Sequence, residues 1–226
     1  MVLVSYEDEY HAAETLPRFA ERLTDQFGCR CRLLIGNKKA GVAGLEALAT
    51  TDVLLLFVRR HALPKPQMVM LRKYLDAGKP LVALRTACHA FDIQADPPAG
   101  METWPSFDHE VLGGNYHNHY GPSPPIKIRA VGVAAAHPIL AGVDIAHWTS
   151  TATLYKTSPL DPSAVTLLIG RRGPQSEPVA WTHLYHGGRV FFTSLGSPDD
   201  FHTPQFCTML VNAIYWTMDK PVPKPR

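Results

Sequence analysis

The sequence lacks any long apolar stretch. Its longest uninterrupted run, residues 53–58, has the length of one strand and is far too short to cross a bilayer. The chain does not open on a basic segment followed by an apolar stretch and a small-residue cleavage site, so no secretory leader is expected and a cytoplasmic location is. An excess of one charge is missing too. Twenty-two Lys and Arg against twenty Asp and Glu leave a formal net charge of +2, which gives no electrostatic reason to expect nucleic acid. Cysteine is scarce: Cys29, Cys31, Cys88 and Cys207 form no CxxC and no Cys/His spacing of structural zinc, so free thiols are expected. The common nucleotide and hydrolase signatures are absent as well. No GxGxxG follows the first strand, and neither GxxxxGK[ST] nor GxSxG occurs, which argues against nicotinamide, nucleoside triphosphate and ordinary serine-hydrolase chemistry.

What is present is a globular composition. With 226 residues, 46% hydrophobic and 19% charged, and a mean hydropathy of −0.07, the chain has enough apolar surface for one α/β domain and is not disordered. That domain is expected over residues 1–219, with a loose, proline-containing tail at 220–226. The N-terminal half alternates strand and helix. Residues 1–6 read as a strand; Ala12, Leu16, Phe19, Ala20, Leu23 and Phe27 recur at helical spacing, with Gly28 as the C-cap. Residues 31–35 read as a second strand containing Cys31, and 41–49 as a short helix. Residues 53–58 form a continuous apolar strand of the kind buried on both faces of a parallel sheet. Pro64 and Pro66 open a helix that stops at Gly78, and 80–84 is a fourth strand. Strands alternating with helices at this spacing predict a doubly wound, flavodoxin-like, mostly parallel α/β sheet with helices on both faces.

Residues 92–125 are rich in proline, Pro122 among them, and predict long loops around one short helix near 107–112, a length usually reserved for function. Strands follow at 126–131, 165–169, 178–183 and 189–194, the last two joined by a turn at His186-Gly187-Gly188. Thr203-Pro204 then predicts the N-cap and first residue of a final helix.

In an open parallel sheet, ligands sit outside the carboxyl ends of the strands. Those ends carry Glu7, Asp8, Glu9 and Tyr10; Arg59, Arg60 and His61; Arg85, Thr86, Cys88 and His89; and Ser197, Asp199 and Asp200. Each set also has a structural reading. Glu7 to Glu9 suit a helix N-terminus, Arg59 and Arg60 suit ion pairs with those acids, and Asp199 and Asp200 suit loop ordering. Cys88 on a strand-to-helix turn suits a small buried residue better than a nucleophile. His109, His117 and His119 crowd one loop. His117 and His119 would share a face if extended, and a divalent metal with Asp108 or Glu110 is the cofactor possibility they raise; no other cofactor is implied. Trp104, Tyr116, Tyr120 and Trp148 are available as a flat wall for a sugar ring, although core packing is the commoner fate of such residues.

Ordered motifs along the chain carry a resemblance. Glu7-Asp8-Glu9-Tyr10, Tyr74-Leu75-Asp76-Ala77-Gly78-Lys79-Pro80, Leu84-Arg85-Thr86-Ala87-Cys88-His89, Gly113-Gly114-Asn115-Tyr116-His117, Leu154-Tyr155-Lys156, Glu177-Pro178-Val179-Ala180-Trp181-Thr182 and Leu195-Gly196-Ser197-Pro198-Asp199-Asp200 resemble the ThuA-like (trehalose-utilisation) proteins of the class I glutamine amidotransferase-like superfamily. Amidotransferases carry a Gly-x-Cys-x-Gly elbow after the fourth strand. Here the elbow aligns as Ala83-Leu84-Arg85-Thr86-Ala87, so Arg85 takes the nucleophile position, Cys88 falls three residues late, and Gly196-Ser197 stands where ThuA-like members often have a Gly-His pair. The resemblance therefore implies a pocket reused for a sugar, trehalose-related or 3-keto, without glutamine hydrolysis. Within it Glu9 or His117 is expected as base and Arg85 or Arg59 as the cation facing an enediolate oxygen. Tyr10, Arg59, Thr86, His89, Trp104, His119, Tyr155, Ser197 and Asp199 are expected to bind the ligand. A small-molecule partner, a homodimer and no membrane complete the expectation. A non-catalytic binding module on the same fold is the alternative.

Overall fold

The computed structural model describes residues 1–121 and 123–224, so Pro122 and the last two tail residues lie outside it. Its centre is one ten-stranded mixed sheet. The strands in chain order are β1 (Val2–Tyr6), β2 (Arg32–Asn37), β3 (Gly41–Val42), β4 (Leu54–Val58), β5 (Leu81–Leu84), β6 (Ile126–Ala130), β7 (Thr149–Ser150), β8 (Val165–Arg172), β9 (Gln175–Tyr185) and β10 (Gly188–Thr193). Their order across the sheet is β7-β6-β8-β9-β10-β5-β4-β1-β2-β3. Strands β2, β1, β4, β5 and β10 run parallel. The expected mostly parallel sheet thus has an antiparallel wing, β9-β8-β6-β7, with β3 antiparallel at the far edge.

The run at 53–58 shows why the parallel half reads as unbroken apolar sequence. Leu54, Leu56 and Val58 join one core cluster, while Val53, Leu55 and Phe57 join the other. Strand side chains alternate faces, and here both faces are covered. Helices α1 (Ala12–Phe27) and α3 (Pro204–Thr217) pack on one side, and α2 (Lys65–Asp76) on the other. Gly28 ends α1 at φ 67° with its N–H on the carbonyls of the last turn, as expected of a left-handed C-cap. Gly78 ends α2 at φ 67°, and any Cβ there would lie 2.7 Å from the His186 carbonyl in the β9–β10 turn. The position needs glycine twice over.

Two local expectations are corrected. Residues 41–49 are not a helix: β3 is followed by a 3₁₀ turn at Leu45–Thr50. Cys31 precedes β2 instead of lying in it. Two others hold and gain detail. Thr203 is the N-cap residue and Pro204 the first residue of α3, although the Thr203 hydroxyl donates to the Asp200 carbonyl at 2.8 Å and makes no cap hydrogen bond. The short helix expected near 107–112 is a single π-helical turn, Asp108–Leu112. Among the described residues no helix is long and apolar enough to cross a membrane.

Candidate functional site

Strands β1, β4 and β5 are neighbours in register, with Tyr6 opposite Val58 and Leu56 opposite Ala83. Their carboxyl ends therefore deliver Glu7 to Tyr10, Arg59 and Arg60, and Arg85 to His89 to one rim. The long loop reaches over this rim because Asn118–His119 pairs with Tyr155–Lys156, His119 lying opposite Tyr155. The result is a cleft of about 320 Å³ lined by Glu9, Tyr10, Arg59, Arg60, His89, Gln94, Tyr116, His117, Asn118, His119 and Tyr155. Almost every group in it is polar or aromatic.

The acids after β1 divide their labour. Glu7 accepts from the backbone N–H groups of Glu9, Tyr10 and Ala12 at 2.6–2.7 Å, so it holds the entry to α1. Glu9 faces the cleft and is engaged there: it pairs with the Arg59 guanidinium and accepts from the Tyr10 hydroxyl at 3.0 Å. Both of its oxygens are thus engaged by neighbours, which weighs against Glu9 as the base.

The histidines are better placed. His117 Nδ1 lies 2.9 Å from the Asn115 carbonyl, and His119 Nδ1 lies 3.1 Å from the Tyr120 carbonyl. A carbonyl only accepts, so both Nδ1 atoms carry the proton and both Nε2 lone pairs are left for a ligand. His89 lies deeper, stacked on Tyr116 with centroids 4.5 Å apart. Burial and then the nearby Arg60 and Arg59 hold it down at about 3, so it is a neutral imidazole. Tyr116 and Tyr155 complete a ring wall, 4.7 Å apart. Burial pushes the Tyr116 phenol up to about 12 and raises Tyr155 as well, which keeps both as hydroxyl donors.

Arg85 occupies the turn after β5 at φ 46°, a left-handed conformation that matches the strained elbow its alignment implies. Its guanidinium is only 1% exposed and lies under the cleft, not in it. It donates to the Ser194 carbonyl at 2.8 Å and to Thr153 Oγ1 at 2.9 Å, and it sits 4.0 Å from the Tyr10 ring centre and 4.8 Å from that of Tyr155. Arg85 is therefore separated from the cleft by the rings of Tyr10 and Tyr155. Cys88 is buried, with its thiol donating to the Arg85 carbonyl at 3.2 Å, and burial followed by the Asp108 charge raises its pKa well above the ordinary value. It has the environment of an inert thiol. Iodoacetamide should label Cys29 and Cys31 in the native protein and leave Cys88 unmodified on peptide mass mapping; native-state labelling of Cys88 would refute this.

The remaining expected residues lie elsewhere. Trp104 is 2% exposed, its indole N–H donates to Glu110 at 2.8 Å, and Arg72 covers its face, so it belongs to the core and not to a sugar wall. Trp148 is buried in the opposite core cluster, and Tyr120 donates to Glu177 outside the cleft. Thr86 is fully buried. Ser197 donates through N–H and hydroxyl to Asp200, and Asp199 accepts from Thr151. Both order the loop after β10. The metal chelate does not assemble: Asp108 turns to the Tyr116 N–H and Glu110 to Trp104. Among the described residues no group of three His, Cys, Asp or Glu side chains is placed to hold a metal ion. Gln94 and Asn118 enter the cleft with no signal in the sequence. Arg60 and Tyr116 had signals, a strand end and an aromatic in the long loop.

Several solved structures share the fold. A ThuA-like protein from Bacteroides uniformis superposes with a TM-score of 0.70 at 17% identity, covering 96% of this chain and 90% of that one. A second from Parabacteroides merdae gives 0.72 at 14% identity, over 99% and 91%. A cytoplasmic protein from Salmonella typhimurium gives 0.63 at 12% identity, over 96% and 98%. No functionally curated protein matches by sequence. The family model described as ThuA, trehalose utilisation, matches residues 5–217. Spanning almost the whole chain, that match places it plainly: the chain belongs to the ThuA family.

Proposed function

We propose that the protein is a carbohydrate-active enzyme acting on a trehalose-related or 3-keto sugar by proton transfer. The single observation carrying this reading is the pair of imidazoles, His117 and His119, whose Nδ1 protons are fixed on backbone carbonyls so that both Nε2 atoms face a polar cleft. His117 Nε2 takes a proton from the carbon beside the keto group. The electron pair moves onto the keto oxygen, and the developing enediolate is met by the Arg59 guanidinium and the Tyr155 hydroxyl. Arg85 supports the Tyr155 phenol and the neighbouring Tyr10 ring from beneath. The wall of Tyr116, Tyr155 and His89 suits the face of a pyranose ring. Membership of a trehalose-utilisation family agrees with the substrate class, and a cytoplasmic location agrees with the name of the Salmonella neighbour.

Incubation with 3-keto-disaccharides should give turnover that His117→Ala lowers by about 10²–10⁴-fold, the span of a general base. Binding of the same sugars without turnover would instead make the protein a non-catalytic sugar-binding module. Unchanged turnover in the variant would remove His117 from the reaction.

A further inference from the structure

A left-handed backbone is rare outside glycine, because the Cβ crowds the following carbonyl. Six non-glycine residues among those described adopt it, and three of the six gather at the cleft. Arg60 and Gln94 line it, and Arg85 lies beneath it. Arg60 and Arg85 come just after β4 and β5, and the Arg60 N–H donates to the His89 carbonyl at 3.0 Å, so the turns brace each other. Gln94, at φ 56°, lies on the long loop and is held through Arg60. The Arg60 guanidinium donates to the Asp92 carbonyl at 3.1 Å and pairs with one Asp92 carboxylate oxygen at 3.9 Å. The other carboxylate oxygen accepts from the Gln94 N–H at 3.0 Å.

Glycine would adopt this conformation without strain. A strained residue persists where its surroundings over-determine it, and such residues cluster at ligand sites. What glycine would lack is the carboxamide. Among the described residues nothing bonds to the Gln94 carboxamide. The other carboxamide of the lining, Asn118, has its oxygen engaged by the His119 N–H at 2.8 Å. Gln94 thus brings a complete set of amide donors and acceptor to the cleft.

We infer that Gln94 is a specificity-determining residue of this cleft, whose carboxamide grips a vicinal pair of sugar hydroxyls and is aimed by the Arg60–Asp92 clamp. The inference rests on the sugar reading above and narrows it to sugars that keep such a diol beside the reacting carbonyl. An amide carries an acceptor and donors side by side, and a vicinal diol presents the matching pair. It neither gains nor loses a proton near neutral pH, so its part is recognition and not proton transfer.

Calorimetric titration of the full chain with trehalose, its 3-keto derivative and the ring-monodeoxy trehaloses tests this. Gln94→Ala should weaken the sugar that binds by about tenfold, the loss of two neutral hydrogen bonds. In the unmodified protein, loss of either hydroxyl of the gripped pair should carry a penalty. That penalty should vanish in Gln94→Ala, because both changes remove the same contact. Gln94→Gly should lose affinity as Gln94→Ala does, yet hold or raise the urea midpoint, since it relieves the left-handed strain. A structural side chain would give the opposite result. Unchanged affinity in Gln94→Ala, deoxy penalties that persist in that variant, or a lowered midpoint in Gln94→Gly overturns the inference and leaves the sugar reading standing. Binding of neither trehalose nor its 3-keto derivative to the unmodified protein overturns both.

Discussion

Replacing Arg85 with Met is expected to lower turnover of a 3-keto-disaccharide about a hundredfold while moving stability by less than about 2 kcal/mol in either direction. Two opposed effects produce the small stability change. Met fills a similar volume without a charge, and substituting a buried ion by an apolar side chain is often neutral or favourable. Against that, the Ser194 carbonyl and the Thr153 hydroxyl lose their partner, at about 1–3 kcal/mol each when left unpaired. The left-handed φ of 46° is common to both side chains, so its strain cancels. Function has no such compensation. Tyr10 and Tyr155 both rest on the guanidinium, and a displacement of about 1 Å in a group that faces a reacting oxygen, as the Tyr155 hydroxyl does, is enough for the stated loss. Arg85→Lys keeps the charge but not the planar fork, so it should recover only part of the activity. The measurement is kcat and KM for the three proteins beside their urea midpoints. Wild-type kcat/KM in the Met variant would take Arg85 out of the mechanism. A collapse of the midpoint would make its role structural.

The second large effect concerns pH. Asp108 is 7% exposed, and burial raises its carboxyl to about 7, opposed only by the hydrogen bond from the Tyr116 N–H at 2.6 Å. In the unfolded chain the same group ionises near its ordinary value of 3.8. Between these values the folded protein holds a proton that the unfolded chain has released. The stabilising contribution is therefore complete below about pH 4 and is lost as pH rises towards 7, to the extent of at most about 4 kcal/mol. Asp108→Asn keeps an acceptor for the Tyr116 N–H and never ionises, so it should be more stable than the wild type at pH 8 and lack this part of the slope. Urea unfolding of both proteins at pH 5 and pH 8 checks it, because subtracting the variant removes every other titrating group. Parallel pH dependences would refute the assignment. Gly114 belongs to the same feature: a Cβ there would stand 2.3 Å from an Asp108 carboxylate oxygen, so the glycine lets the loop bearing Tyr116 and His117 close over the acid.

Much of the scaffold was legible in the sequence. The unbroken run at 53–58 identified a strand covered on both faces, the spacing of Leu16, Phe19 and Leu23 with Gly28 identified α1 and its end, and the strand termini named Glu9, Tyr10, Arg59, Arg60, Arg85 and His89 as neighbours. The reason is physical: each of these signals is local. A period of two or 3.6 records which faces are buried, and a parallel sheet brings the residues after its central strands to one edge whatever the rest of the chain does.

Tertiary structure alone decided what those residues do. Trp104 and Trp148 have the composition of a sugar wall yet lie in the core, while Gln94 and Asn118 lie in the cleft without any periodic signal. Ser197 and Asp199 are consumed by loop contacts, and Glu9 is consumed by Arg59. Nothing in the order of residues states that Arg85 is buried beneath the rings of Tyr10 and Tyr155, or that two backbone carbonyls fix the protons of His117 and His119. The family and the frame followed from the sequence because they depend on short-range pattern. The chemistry of the cleft did not, because it depends on the pairing of His119 with Tyr155, thirty-six positions apart, which brings the long loop over the strand ends.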